Sequence, residues 1–211
     1  MPGIIDRFVS RLSQGFVKGL ISVLKKEGRY FLVKGDSGWL IDHQIGFNLA
    51  DKTLLPTDYL SSGDTLLVVT TNNVLNGGVT FVTDPSRFRT VPLSPKEIET
   101  RPGDFEMNGL WLSPGLPKNS RLMFWLFVCT YLLSRPLDSR FYFSFETRKQ
   151  NLEKFYKSFT EEILYEGEVK NLPGMNSSKT YTERICRTSI RHLIYRLPFV
   201  ILTWIFRHTG R

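Results

Sequence analysis

Residues Asp104 to Trp125, DFEMNGLWLSPGLPKNSRLMFW, change character twice. Phe105 to Leu112 is a largely apolar run free of proline, and it reads as a strand. Two prolines, a glycine and a lysine follow within SPGLPKN, and no regular element accommodates that spacing of breakers. From Ser120 to Ser134 the chain is apolar nearly all round, which predicts a helix buried on more than one side. FYFSF, residues 141–145, is rich in aromatics and predicts a second strand. A strand, a helix and a strand in succession form a βαβ unit, so these two strands are expected to run parallel.

Working upstream, DTLLVVTT (64–71) and VTFVT (79–83) are strands, and NNVLNGG between them supplies turn residues, so 64–83 is a hairpin. Residues 84–103 hold prolines at 85, 92, 95 and 102 and read as a loop with one helical turn. Residues 48–63 read as a loop with a short helical turn. GRYFLVKGDSGWLIDHQIGF reads as a short strand, a glycine turn and another extended piece. Before it, apolar residues at 4, 5, 8, 9, 12, 16, 17, 20, 21 and 24 mark an amphipathic helix, weakened at Gly15 and Gly19. That helix packs on a sheet in the commoner reading and lies on a membrane surface in the rarer one.

Downstream, 149–159 predicts a helix with Leu152, Phe155 and Tyr156 on one face. Residues 163–169 predict a strand, 171–180 a polar loop, 182–195 a basic helix, and 199–206 a last apolar strand or helix. The whole, residues 1–211, reads as a single domain of mixed sheet and helices, with an N-terminal amphipathic helix within 1–30 and a basic segment over 171–211.

Apolar residues at 41% exclude a disordered chain. The formal charge is +8, and Lys170 to Arg211 holds eight Lys or Arg against one acid, Glu183. That balance suits an anionic partner: a phosphorylated cofactor, an acidic carrier protein, a membrane surface or nucleic acid. A solvated basic face explains it equally well. Nucleic acid is set aside, because no recognition-helix, zinc or aromatic RNA-binding pattern accompanies the charge. Cys129 and Cys186 form no disulfide framework, which points to a reducing compartment and a cytoplasmic location. His43, His192 and His208 are scattered without metal spacing, so no metal is expected. No secretory signal is legible, and Pro198 to Phe206 is too short to span a bilayer.

The loop after the first strand has a chemistry of its own. A helix N-terminus presents free N–H groups and a positive dipole end. Gly115, Asn119 and Ser120 are small or polar and let a phosphate approach the backbone, while Lys118 and Arg121 add positive charge.

This order of elements resembles the GNAT superfamily of N-acetyltransferases over roughly residues 60–170. DTLLVVTTNNVLNGGVTFV resembles its second and third strands. GLWLSPGLPKNSRL resembles its fourth strand and acyl-CoA pyrophosphate loop. FYFSFETRKQNLEKFYKSF resembles its fifth strand and the following helix with an Asn, an apolar residue and a Tyr, here Asn151, Phe155 and Tyr156. The resemblance implies an α/β (α+β) fold: a mixed, mostly antiparallel central sheet with helices on both faces. It implies acyl transfer from a thioester donor, acyl-CoA or acyl carrier protein, to an amine acceptor, without a metal. It implies Glu106 as the base, directly or through water, and Tyr156 as the acid for the thiolate. The backbone of Leu110 and Leu112 would bind a pantetheine arm between splayed fourth and fifth strands. Trp111, with Trp39 and Trp125, would line an acyl pocket. Gly115, Lys118, Asn119, Ser120, Arg121 and Asn151 would complete the donor site. The family's Gln/Arg-x-x-Gly-x-Gly/Ala pattern falls on Pro117, Ser120 and Leu122, none of which matches. The acyl-homoserine-lactone and long-chain N-acyl amino acid synthases also lack those glycines and draw on acyl carrier protein, and FEMNGLWL is similar to their acidic strand.

Other readings of these residues stand beside that one. Glu106 reads as a surface carboxylate, and Tyr156 and the tryptophans read as core. The second functional reading is a catalytically silent binding protein of the same fold. Its basic Ser189–Arg211 segment, where Arg191, Arg196, Arg207 and Arg211 flank an apolar run with Trp204, would hold a membrane or an acidic partner and place the protein at the membrane periphery. The same run also reads as a core strand.

Overall fold

β-branched and aromatic runs build one seven-stranded sheet. A computed structural model describes residues 3–23, 28–51, 54–70, 72–147, 153, 156–169 and 181–198. In chain order the elements are α1 (Ile4–Val23), β1 (Gly28–Lys34), α2 (Gly38–Asp51), α3 (Thr57–Ser61), β2 (Gly63–Thr70), β3 (Leu75–Val82), β4 (Phe105–Leu112), α4 (Lys118–Leu133), β5 (Arg140–Glu146), β6 (Glu162–Val169) and β7 (Tyr181–Ser189). Residues 190–198 are helical. The strand order is β1-β2-β3-β4-β5-β7-β6. Every pairing is antiparallel except β4 with β5, which is parallel as a βαβ crossover requires.

Alternation along the strands feeds two cores, one on each face of the sheet. Leu66, Val68, Val79, Phe81, Phe105, Met107, Phe141, Phe143 and Phe145 join α1, α4 and helical residues 190–197 in the larger core. Phe81, Phe105, Phe141 and Phe143 run as a ladder of rings across β3, β4 and β5, with successive centroids 6.4, 5.6 and 5.5 Å apart. Each of these fully buried rings contributes about 1.5–3 kcal/mol. On the opposite face Leu40, Phe47, Leu55, Tyr59 and Leu60 of α2, α3 and their link pack on Val82 and Tyr142.

The structure corrects two expectations. The piece after the glycine turn is not extended but forms α2. Leu40, His43 and Phe47 are buried at helical spacing, and the isoleucines between them, Ile41 and Ile45, face outward. Nor is 182–195 one basic helix. Tyr181–Ser189 is the strand β7, and only 190–198 is helical. The arginines that suggested a polar helix face are cross-strand partners: Arg184 pairs with Glu166 and Glu153, each at 2.9 Å, and Arg187 with Glu162. These pairs neutralise part of the C-terminal charge. Of the helix expected over 149–159, Glu153, Tyr156 and Lys157 are helical, Ser158 and Phe159 form a turn, and the remaining residues lie outside those described, as do the expected loop at 171–180 and the run at 199–206.

Candidate functional site

β4 and β5 pair at two positions only, Phe105 with Phe141 and Glu106 with Tyr142. Their starts are pinned together by Asp104, whose carboxylate accepts from Arg140 Nη2 at 2.6 Å, Arg140 Nε at 3.0 Å and the Tyr142 hydroxyl at 3.2 Å. Past Glu106 the strands part: Met107, Asn108, Trp111 and Leu112 keep only their β3 partners, and Gly109 and Leu110 lie between them at an irregularity in the register. The β5-facing edge of β4 is left with unpaired backbone N–H and C=O groups, which an extended ligand can meet as an added strand.

A bulge shapes that edge. Thr80 pairs with Asn108 and Gly78 with Trp111, so β4 carries an extra residue there. Gly109 takes a φ of 65°, which favours glycine. The extra residue inverts the alternation. Leu110 and Leu112 turn to the larger core and Trp111 to the smaller one. Trp111 Nε1 donates to His43 Nδ1 at 2.9 Å, and His43 Nε2, which then carries the ring proton, lies 3.4 Å from Thr80 Oγ1. Burial lowers the pKa of His43 to about 4, so the imidazole is neutral. Trp125 packs with the larger core, so the sheet separates it from Trp111 and the two do not share a pocket.

The loop leads into α4. Pro117 caps the helix without a side-chain hydrogen bond, and the first turn holds no acid. The N–H groups of that turn are therefore open to an anion. Lys118, Asn119 and Gly115 are exposed there. Ser120 is buried, and its Oγ has no hydrogen-bond partner among the described residues. Its carbonyl accepts from the Tyr30 hydroxyl at 3.1 Å. Arg121 turns back on the loop, donating from Nε to Leu116 O at 2.9 Å and from Nη2 to the carbonyls of Ser113 and Pro114. It shapes the seat, and Lys118 is the side chain left to face an anion. Leu122 is half-buried against the larger core.

Glu106 is fully buried and not a surface carboxylate. Its oxygens accept from the Tyr59 hydroxyl, Arg89 N–H at 2.9 Å, Thr90 N–H at 2.6 Å and Asn108 Nδ2 at 3.2 Å. A carboxylate has about four lone-pair sites, and four donors occupy them. Glu106 thus clasps β4 to α3 and to the turn at 89–90, and has no site left for a substrate proton in this arrangement. Tyr156 stacks on Phe143 and Phe145 at 5.2 and 4.9 Å, on the other face of the sheet from Glu106. The two do not meet. Asn151 lies outside the described residues.

Sequence reasoning missed Tyr59, His43 and Tyr30. A signal existed for the first: an acid on a strand between inward-facing Phe105 and Met107 needs donors from a neighbouring element. Burial pushes Cys129 up to about 12 and Cys186 up to about 11, so neither offers a thiolate nucleophile. Among the described residues no cluster of His, Cys, Asp and Glu could hold a metal, and no helix is long and apolar enough to cross a membrane.

No protein-family model matches the sequence, and no curated protein matches it significantly. Solved structures do match. A probable acetyltransferase from Staphylococcus epidermidis superposes with a TM-score of 0.51 at 8% identity, over 77% of this chain and 98% of that one. Arabidopsis thaliana NAA60, in complex with a bisubstrate analogue, superposes with a TM-score of 0.53 at 10% identity, over 76% of this chain and 99% of that one. At these identities the likeness is one of fold. With its mostly antiparallel sheet, helices on both faces, and β4 parting from β5, the chain has the fold of the GNAT acetyltransferases.

Proposed function

We propose that the chain is an acyltransferase that moves an acyl group from an acyl-CoA thioester to an amine. One observation carries the reading: the unpaired edge of β4 past its bulge leads directly into an uncapped, basic helix N-terminus. The edge suits the amides of a pantetheine arm, and the α4 terminus with Lys118 suits a pyrophosphate. The amine lone pair attacks the thioester carbonyl, the C–N bond forms, and the C–S bond breaks with proton transfer to the sulfur. Unpaired β4 N–H groups are the available donors for the oxyanion that develops. In this reading Glu106 is a positioning residue that fixes the closed end of the cleft, and the proton of the amine leaves to water. Tyr156 supports the β5 wall.

The test is thermal unfolding with acetyl-CoA, longer acyl-CoAs and acylated carrier protein, followed by thiol release with a panel of amines. A donor at about 100 times its Kd adds about 2.7 kcal/mol of stability. A shift with an acyl-CoA that Lys118→Glu cuts to about half supports the reading. A shift with carrier protein alone replaces the donor, and no shift with any of them overturns acyl transfer.

A further inference from the structure

The outward face of α1 is the least expected surface of the molecule. One side of the helix is fully used. Val17 is buried, Val9, Phe16, Leu20 and Ile21 pack on the larger core, Ser13 donates to Ile194 O at 3.1 Å, and Gln14 to Leu133 O at 3.1 Å. The other side has no polar face of the usual kind. Ile4, Ile5, Phe8 and Leu12 are 88, 72, 62 and 58% exposed. At about 100° per residue these four fall within a single arc of about 100°. Arg7, Arg11 and Lys18 occupy the adjoining arc, are exposed, and form no ion pair among the described residues. The one acid of α1, Asp6, is turned inward to Arg191 at 3.4 Å and the Tyr195 hydroxyl at 3.2 Å.

We infer that this face docks on an anionic lipid bilayer, with Ile4, Ile5, Phe8 and Leu12 in the acyl boundary and Arg7, Arg11 and Lys18 on the headgroups. An apolar strip beside a basic row is the composition of a helix that lies in a membrane interface. Charge selects the occupant. A second copy would bring the same basic row against itself, while an anionic surface attracts it. Exposed as they are, these side chains can enter a soft interface without a shaped pocket.

The test is co-sedimentation of the full chain with vesicles of phosphatidylcholine alone and of phosphatidylcholine with phosphatidylserine. Binding to the anionic vesicles is expected, weakened by salt, and reduced at least tenfold in the double variant Ile4→Asp/Phe8→Asp. A reduction by Arg7→Glu/Arg11→Glu without loss of the thermal transition adds the charge term. All four side chains face solvent, so the variants are expected to melt with the wild type. No binding to anionic vesicles overturns the inference. Binding that the Ile4/Phe8 variant leaves unchanged also overturns it, by assigning the contact to another segment. So does a dimer in sedimentation velocity that this variant dissolves, which would make a second copy the occupant.

Discussion

Tyr59 donates its hydroxyl to the carboxylate of Glu106, and both side chains are shut away from solvent. The same carboxylate binds Asn108 Nδ2, and Asn108 Oδ1 accepts from Gly109 N at 2.7 Å. One buried charge thus joins α3, the 89–90 turn and the bulge of β4. Glu106→Gln keeps one acceptor and points an amide N–H at donors, so it should cost roughly 2–4 kcal/mol. Tyr59→Phe leaves the charge and three donors in place and should cost about 1–2 kcal/mol. Urea unfolding of both variants measures this. Equal stability of Glu106→Gln and wild type would show that the clasp is not formed.

His43 makes stability depend on pH. Burial holds its folded pKa near 4, below the 6.5 of an unfolded chain. A depressed pKa means the contribution is complete above pH 6.5 and is lost as the pH falls toward 4, because the unfolded state takes the proton first. The loss is on the order of 3 kcal/mol. Carboxylates also titrate at the acid end, so the readout is the difference between wild type and His43→Leu. That variant should show a shallower fall between pH 6.5 and 4; parallel profiles would mean that His43 is accessible to protons in the folded state.

Lys118 and Arg121 should separate by phenotype. Lys118 is exposed in the first turn of α4, so Lys118→Glu should leave the melting temperature unchanged and weaken acetyl-CoA binding about tenfold. Arg121 holds three loop carbonyls, so Arg121→Ala should lower both stability, by about 1–2 kcal/mol, and affinity. Calorimetric titration beside thermal melts distinguishes them. An Arg121→Ala variant that melts with the wild type would return its guanidinium to the ligand.

The parallel pair was legible because the breakers in SPGLPKN separate two apolar elements of different period, and only a crossover joins such strands on one sheet. The hairpin was legible from its β-branched runs, but its turn is shorter than NNVLNGG suggested: Asn73, at a φ of 62°, lies in it, while Asn76 and Gly77 already belong to β3. α2 was not, because its isoleucines and glycines mimic a strand; His43 and Phe47 show the helical period only once burial is known. β7 was hidden by its charges. Arg184 and Arg187 lie on a central strand and are tolerated there because β6 offers Glu166 and Glu162 opposite. The anion seat could be read from small and basic residues near a helix start. That Arg121 would serve the loop and Glu106 a clasp depends on backbone atoms brought in from Ser113, Pro114, Arg89 and Thr90, which no local spacing encodes.

Gly109 tests the link between bulge and cleft. Its φ of 65° costs a side-chain-bearing residue about 1–2 kcal/mol, and a Cβ there would stand 3.0 Å from Leu55 Cδ1 and 3.2 Å from His43 Nε2. Gly109→Ala can relieve the backbone only by flattening the bulge. That would shift the register by one residue, turning Trp111 toward the larger core and Leu110 and Leu112 away from it. Such a shift breaks the Trp111–His43 hydrogen bond and re-aims the edge of β4 that the proposed donor would pair with. The variant should therefore lose stability and donor affinity together, and its tryptophan fluorescence should change as Trp111 leaves the imidazole. If Gly109→Ala destabilises the protein but binds acyl-CoA with unchanged affinity, the strain is confined to the backbone and the β4 edge is not where the donor lies.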